Sequence, residues 1–188
     1  MKKWILISLV FIACNKKTKQ QQLVITPPQT EILNTDTSLH NANGTWMKNG
    51  AQFSGYIVAK ESNILLGKLP ILGGKENGTA YEWYKNGQKK FERNFLHGNR
   101  EGYHKGWYPN DTVSFIQFFK DDKLEGEQVG FYESGHRFQV LNYVNGYEDG
   151  RQKTWNDSGR VVNNFTVKNG KLYGIIGRYD CMSVMSKK

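Results

Sequence analysis

The residues of this chain best suited to chemistry are four histidines, a short run of acids and two cysteines. His40, His97, His104 and His136 are scattered. His97 and His104 stand seven apart across the start of a strand, a poor spacing for two ligands of one ion. Asp121-Asp122 with Glu125 and Glu127 has the composition of a cation loop or of paired acids for hydrolysis. Asp121-Asp122, however, fills a position that turn residues fill elsewhere in the chain, so turn chemistry accounts for it. The chain shows no His-Glu-x-x-His, Cys-x-x-Cys, glycine-rich phosphate loop or Gly-x-Ser-x-Gly, the spacings that place zinc ligands, phosphates or a nucleophile. No catalytic residue, metal site or cofactor is expected from these residues.

The elements around these residues repeat. Gly78, Gly102, Gly126, Gly150 and Gly174 recur every 24 residues, each followed five places later by an aromatic: Trp83, Trp107, Phe131, Trp155 and Tyr179. The next position holds Tyr84, Tyr108 and Tyr132, then Asn156. A fixed period of this length is the mark of a repeat array, in which each unit buries its apolar face against its neighbours. Two dipeptides also recur. One is Asn86-Gly87, Asn110-Asp111, Ser134-Gly135 and Ser158-Gly159; the other is His97-Gly98, Asp121-Asp122, Asn145-Gly146 and Asn169-Gly170. Such pairs accept the positive φ of two-residue hairpin turns. Each unit therefore holds two turns and two strands, and the fold is an all-β, open, single-layer antiparallel meander.

Alternation within the strands assigns faces. It places the Trp83, Trp107, Phe131, Trp155 column together with the Phe95, Phe119, Tyr143, Val167 column on one aromatic face, as core. The Tyr84, Tyr108, Tyr132 column then points the other way. It is either a binding ladder or a stiffener, since Tyr offers apolar area with a polar tip. The recurring glycine serves either a neighbouring ring that needs its space or a local bend, with the ring favoured.

Units such as Glu82-Trp83-Tyr84-Lys85-Asn86-Gly87 and Tyr143-Val144-Asn145-Gly146 resemble the bacterial MORN-repeat variant over residues 78–179. Residues 43–77 share its vocabulary but not its spacing, and Ile64–Leu72, with Pro70 inside it, reads as an edge strand or a cap. The resemblance implies an elongated sheet of hairpins. Of the roles attached to such repeats, scaffolding of proteins and membrane occupation are the general ones, and some bacterial members are labelled antitoxins.

The chain opens with Lys2-Lys3 and an apolar run from Trp4 to Ile12, about half the length a membrane-spanning helix needs. Residues 1–13 read as a signal segment, and Ile12-Ala13-Cys14 resembles a lipobox with Cys14 as the acylated residue. Cys181 is then the one remaining thiol and forms no internal disulfide. Residues 14–42, polar and holding Pro27-Pro28, read as a tether spanning roughly 30 Å as a coil. A divergent unit (43–77) and the regular array (78–188) follow. The net charge of +9 raises nucleic acid as a partner, which wants one continuous basic stripe. Residues 126–149 are net acidic and 150–173 net basic, so nucleic acid is set aside. The expectation is a non-enzymatic, lipid-anchored protein of the bacterial envelope that binds or scaffolds a protein or polymer partner. The alternative is an antitoxin-like or immunity-like protein that masks one partner.

Overall fold

A computed structural model of the protein describes residues 26–175. The signal segment, Cys14 and Cys181 lie outside the described residues. All regular structure among the described residues is β, so no helix there is long and apolar enough to cross a membrane.

One unit shows how the sequence builds the sheet. Gly78–Trp83 runs out and Lys89–Leu96 runs back antiparallel to it. His97 and Gly98, with φ of 52° and 92°, turn the chain into Asn99–Arg100, which pairs back onto Leu96 and Phe95. After a break at Glu101 the same strand resumes as Gly102–Trp107, and the pattern repeats. The second turn is the expected two-residue type I′ turn, with both φ values positive at 121–122, 145–146 and 169–170 as well. The first turn is longer than expected. Gly87 N–H donates to the Tyr84 carbonyl (2.9 Å) and Tyr84 N–H to the Gln88 carbonyl (2.8 Å). Of the turn's residues only Gly87, at 83°, has a positive φ. This is a type I turn closed by a left-handed residue, and Asp111, Gly135 and Gly159 repeat it.

The hairpins join into an open sheet of sixteen strands in chain order, antiparallel except at its start. There Glu31–Leu33 pairs in parallel with Gly55–Glu61. A three-stranded sheet, Leu39–Ala42, Thr45–Lys48 and Ala51–Gln52, stands beside this end. The tether reading fails over 31–42, which is strand rather than coil along most of its length. Ile32 is buried with Phe53, Ile57 and Ile71, and Leu39, Trp46 and Leu69 pack on them. Burying one such aliphatic side chain is worth about 2 kcal/mol, and backbone bonds from Asn34 N–H to the Val58 carbonyl and from Tyr56 N–H to the Thr30 carbonyl help hold this short strand in place. The edge-strand reading of Ile64–Leu72 fails too, because that strand lies between Gly55–Glu61 and Gly78–Trp83.

Register corrects the faces. Residues directly opposite across an antiparallel pair share a face, and Phe91 opposes Glu82 while Phe95 opposes Gly78. The Phe95 column is therefore on the face opposite Trp83, which stacks on Tyr81 (5.7 Å between ring centroids). Tyr132 meets Phe138 (5.3 Å) on the same side as the Phe95 column. The two sides are called here the Trp face and the Tyr face.

Candidate functional site

The tyrosine column is tied into the backbone. The hydroxyls of Tyr84, Tyr108 and Tyr132 donate to the carbonyls of Trp107, Phe131 and Trp155, at 2.8, 2.8 and 3.0 Å. Each reaches the last residue of the next unit's outgoing strand, so the column stitches unit to unit. Asn86 and Asn110 add amide bonds to Pro109 and Glu133 carbonyls on the same edge. Asn156 ends the series; its side chain instead accepts from Arg160 N–H within its own turn. With hydroxyls engaged and rings half-buried, these residues stiffen the sheet.

The opposite edge is stitched by the type I′ turns. Gly98, Asp122 and Gly146 donate backbone N–H to the carbonyls of Glu76, Arg100 and Leu124. Glu101 and Glu125 accept from Asp121 N–H (3.0 Å) and Asn145 N–H (2.8 Å). Asp122 accepts from the Arg100 backbone N–H (2.9 Å) and from its Nε (3.1 Å). Those bonds, the backbone one first, hold its carboxyl below the usual range. The acidic run is thus turn and tie. Among the described residues no three His, Cys, Asp or Glu side chains converge on a metal position.

The repeating glycine answers to backbone conformation rather than to a ring. Gly78, Gly102, Gly126, Gly150 and Gly174 all have positive φ, and a Cβ on Gly126 would meet nothing within 4 Å. The bend reading holds. Rings do cover other glycines, Gly106 under Phe115, Gly130 under Phe138 and Gly55 beside Phe53.

A buried polar column accompanies the bend. His104, Gln128 and Gln152, 24 residues apart, are 3%, 2% and 0% exposed. At each bend the pairing between units stops after two residues, and the return-strand N–H of Phe118 or Asn142 finds a side-chain acceptor instead. Gln128 fills the gap by accepting from Phe118 N–H (2.9 Å) and donating to the Glu125 carbonyl (2.8 Å). Gln152 accepts from Asn142 N–H (3.0 Å) and donates to its carbonyl (2.8 Å). His104 Nε2–H donates to the Asn94 carbonyl at 2.8 Å, between the rings of Phe95 and Phe119. Burial pushes its pKa down. In the first unit the place of Asn94 is taken by Pro70, which has no N–H to orphan, and Ala80 stands where the others have His or Gln. That accounts for a proline in an interior strand. The 24-residue spacing of His104, Gln128 and Gln152 was legible in the sequence, but their polarity pointed to the surface.

The Trp column is partly uncovered. Trp83, Trp107, Phe131 and Trp155 are half-buried rather than core. Lys89 Nζ lies 4.9 Å from the Trp107 ring and pairs with Glu92 (2.8 Å), and Lys153 lies 4.7 Å from the Trp155 ring. Tyr103, 55% exposed, sits edge-on to Phe118 at 5.0 Å. From Tyr103 and Phe118 an open groove of about 530 Å³ runs past Ile116 and Val129 to Phe131 and Arg137. A second of about 340 Å³ continues past Arg137 and Asn142 to Arg151, Lys153 and Trp155. The arrangement offers apolar and aromatic area rimmed by charges of both signs, Glu125 and Glu127 as well as Arg137, Arg151 and Lys153, suited to non-covalent contact with a surface or an extended chain. Among known proteins, no family model matches the chain and no curated protein matches it.

Proposed function

We propose that this protein is a lipid-anchored binding or scaffolding protein of the bacterial envelope, and that it holds a protein partner on its Trp face. The observation carrying this reading is the uncovered groove from Tyr103 to Arg137, with an exposed aromatic at one end and a guanidinium at the other. Aromatics and arginine are the residues that most often anchor interfaces. The stitched edges support it, because a sheet whose units are tied on both sides presents its grooves with little ordering cost. The MORN resemblance supports a scaffold. The lipobox-like Ile12-Ala13-Cys14 supports the location, with Cys14 carrying the acyl chains.

The experiment uses full-length protein cross-linked in the envelope and then purified. Tyr103→Ser with Phe131→Ser should abolish recovery of a stoichiometric partner, whereas Tyr84→Phe, Tyr108→Phe and Tyr132→Phe together should leave it unchanged. The reverse pattern would return the tyrosine column to the binding role. Cys14→Ser should release the protein from carbonate-washed membranes; its retention there would remove the anchor.

A further inference from the structure

The array carries its own control for what fills the Tyr face. Phe91 and Phe115 occupy equivalent positions in successive return strands, and their rings lie 6.0 Å apart. The equivalent position one unit earlier is Gly67, which pairs with Glu82 as Phe91 pairs with Gly106. Ala80 replaces the buried His104, Gln128 and Gln152, and Ala59 stands opposite Gly67. Three small residues therefore sit together where later units place a benzyl ring and a buried polar side chain. A hollow of about 340 Å³ results, walled by Ile57, Leu69 and Phe95, and closed on one side by Trp46 from the small sheet. Its volume falls at the lower end of ligand pockets, ~300–1,000 Å³.

The charges at its mouth are unequal. Glu76, Glu82, Arg93 and Lys68 line it. Arg93 is engaged by Glu82 at 2.7 Å. The Lys68 ammonium is drawn to the opposite face, bonded to Glu31 at 2.8 Å and over the Tyr56 ring at 4.2 Å. Glu76 belongs to none of the ion pairs found among the described residues. Burial raises its pKa, and the neighbouring Trp46 side chain draws it partly back. A half-buried carboxylate beside an indole, above an apolar hollow of ring size, suits a cation carried on a ring.

We infer that the hollow between Trp46, Glu76 and Phe95 is a binding site for a small aryl-alkyl ammonium, its ring seated over Gly67 and Ala80 and its ammonium on Glu76. The site goes beyond the Trp-face reading and lies on the other side of the sheet. The probe is phenethylammonium, titrated calorimetrically into the purified full-length protein, with 2-phenylethanol as the neutral analogue. Saturable binding is expected for phenethylammonium, and much weaker binding for the alcohol. Gly67→Phe and Ala80→Gln each restore the residue of a later unit and should abolish it. At Gly67 there is room to begin a side chain, since a Cβ there meets nothing closer than 3.4 Å. Glu76→Gln should weaken the cation roughly tenfold or more while leaving the alcohol unchanged. Absence of binding to the unmodified protein, or full binding by a folded Gly67→Phe or Ala80→Gln protein, would overturn the site. Undiminished binding by Glu76→Gln would overturn its cation preference. Recovery of the Trp-face partner by Gly67→Phe protein is expected to be normal, so the two sites fail separately.

Discussion

His104 shows what a single residue does in this array. It is the one member of the buried polar column able to take a proton, and it donates to a return-strand carbonyl where Gln128 and Gln152, without charge, also accept a return-strand N–H. Burial lowers its pKa below the ordinary 6.5, with Arg100 and Arg93 adding to that direction. The unfolded chain therefore binds the proton first as pH falls. The stability contributed by neutral His104 is complete above about pH 6.5 and is lost as pH drops toward the lowered value. His104→Gln should match the parent near pH 8 and exceed it near pH 5 in urea midpoint. A difference between the two proteins that does not vary with pH would remove His104 as the titrating group. Gln128→Leu, by contrast, orphans Phe118 N–H and the Glu125 carbonyl and should cost ~1–3 kcal/mol at every pH.

At the scale of the element, the 24-residue period made the strands, the type I′ turns and the open meander legible beforehand. Turn dipeptides at fixed spacing constrain a backbone strongly. Which columns share a face was not legible, because the first turn's extra residue puts two residues opposite Trp83 and shifts the register between Glu82 and Trp83. One such slip moves a column to the other side. It sent the Phe95 column to the Tyr face and left the Trp column partly uncovered. The glycine was half legible: its recurrence announced a need, but only φ separates a bend from a ring. Alanine and asparagine distinguish the two in practice. Gly126→Ala should cost ~1–2 kcal/mol for a left-handed Cβ, and Gly126→Asn less, because Asn tolerates that conformation. At Gly106, where any Cβ enters the Phe115 ring, Asn should be worse than Ala. Equal losses for Asn and Ala at 126, read as urea midpoints, would sink the conformational account.

At the scale of the whole molecule, the ties run between adjacent units: hydroxyl to carbonyl on one edge, turn N–H to carbonyl on the other. Among the described residues no long crossover links distant units of the regular array, so its stability should be close to a sum of unit and neighbour contributions. Excising residues 126–149 tests this directly. Every partner has an equivalent 24 residues on: Tyr108 can donate to the Trp155 carbonyl in place of Phe131, Gln152 can accept from Phe118 N–H in place of Gln128, and Gly150 can supply the bend that Gly126 made. The shortened protein should keep the same β signature by circular dichroism and unfold at a modestly lower urea concentration. Excising only residues 126–137 removes one strand with its turn and asks the flanking strands to pair in parallel without a crossover, which short connections forbid. That protein should not fold. Collapse of both deletions alike would mean that the units are not interchangeable and that the array is held by contacts reaching beyond nearest neighbours.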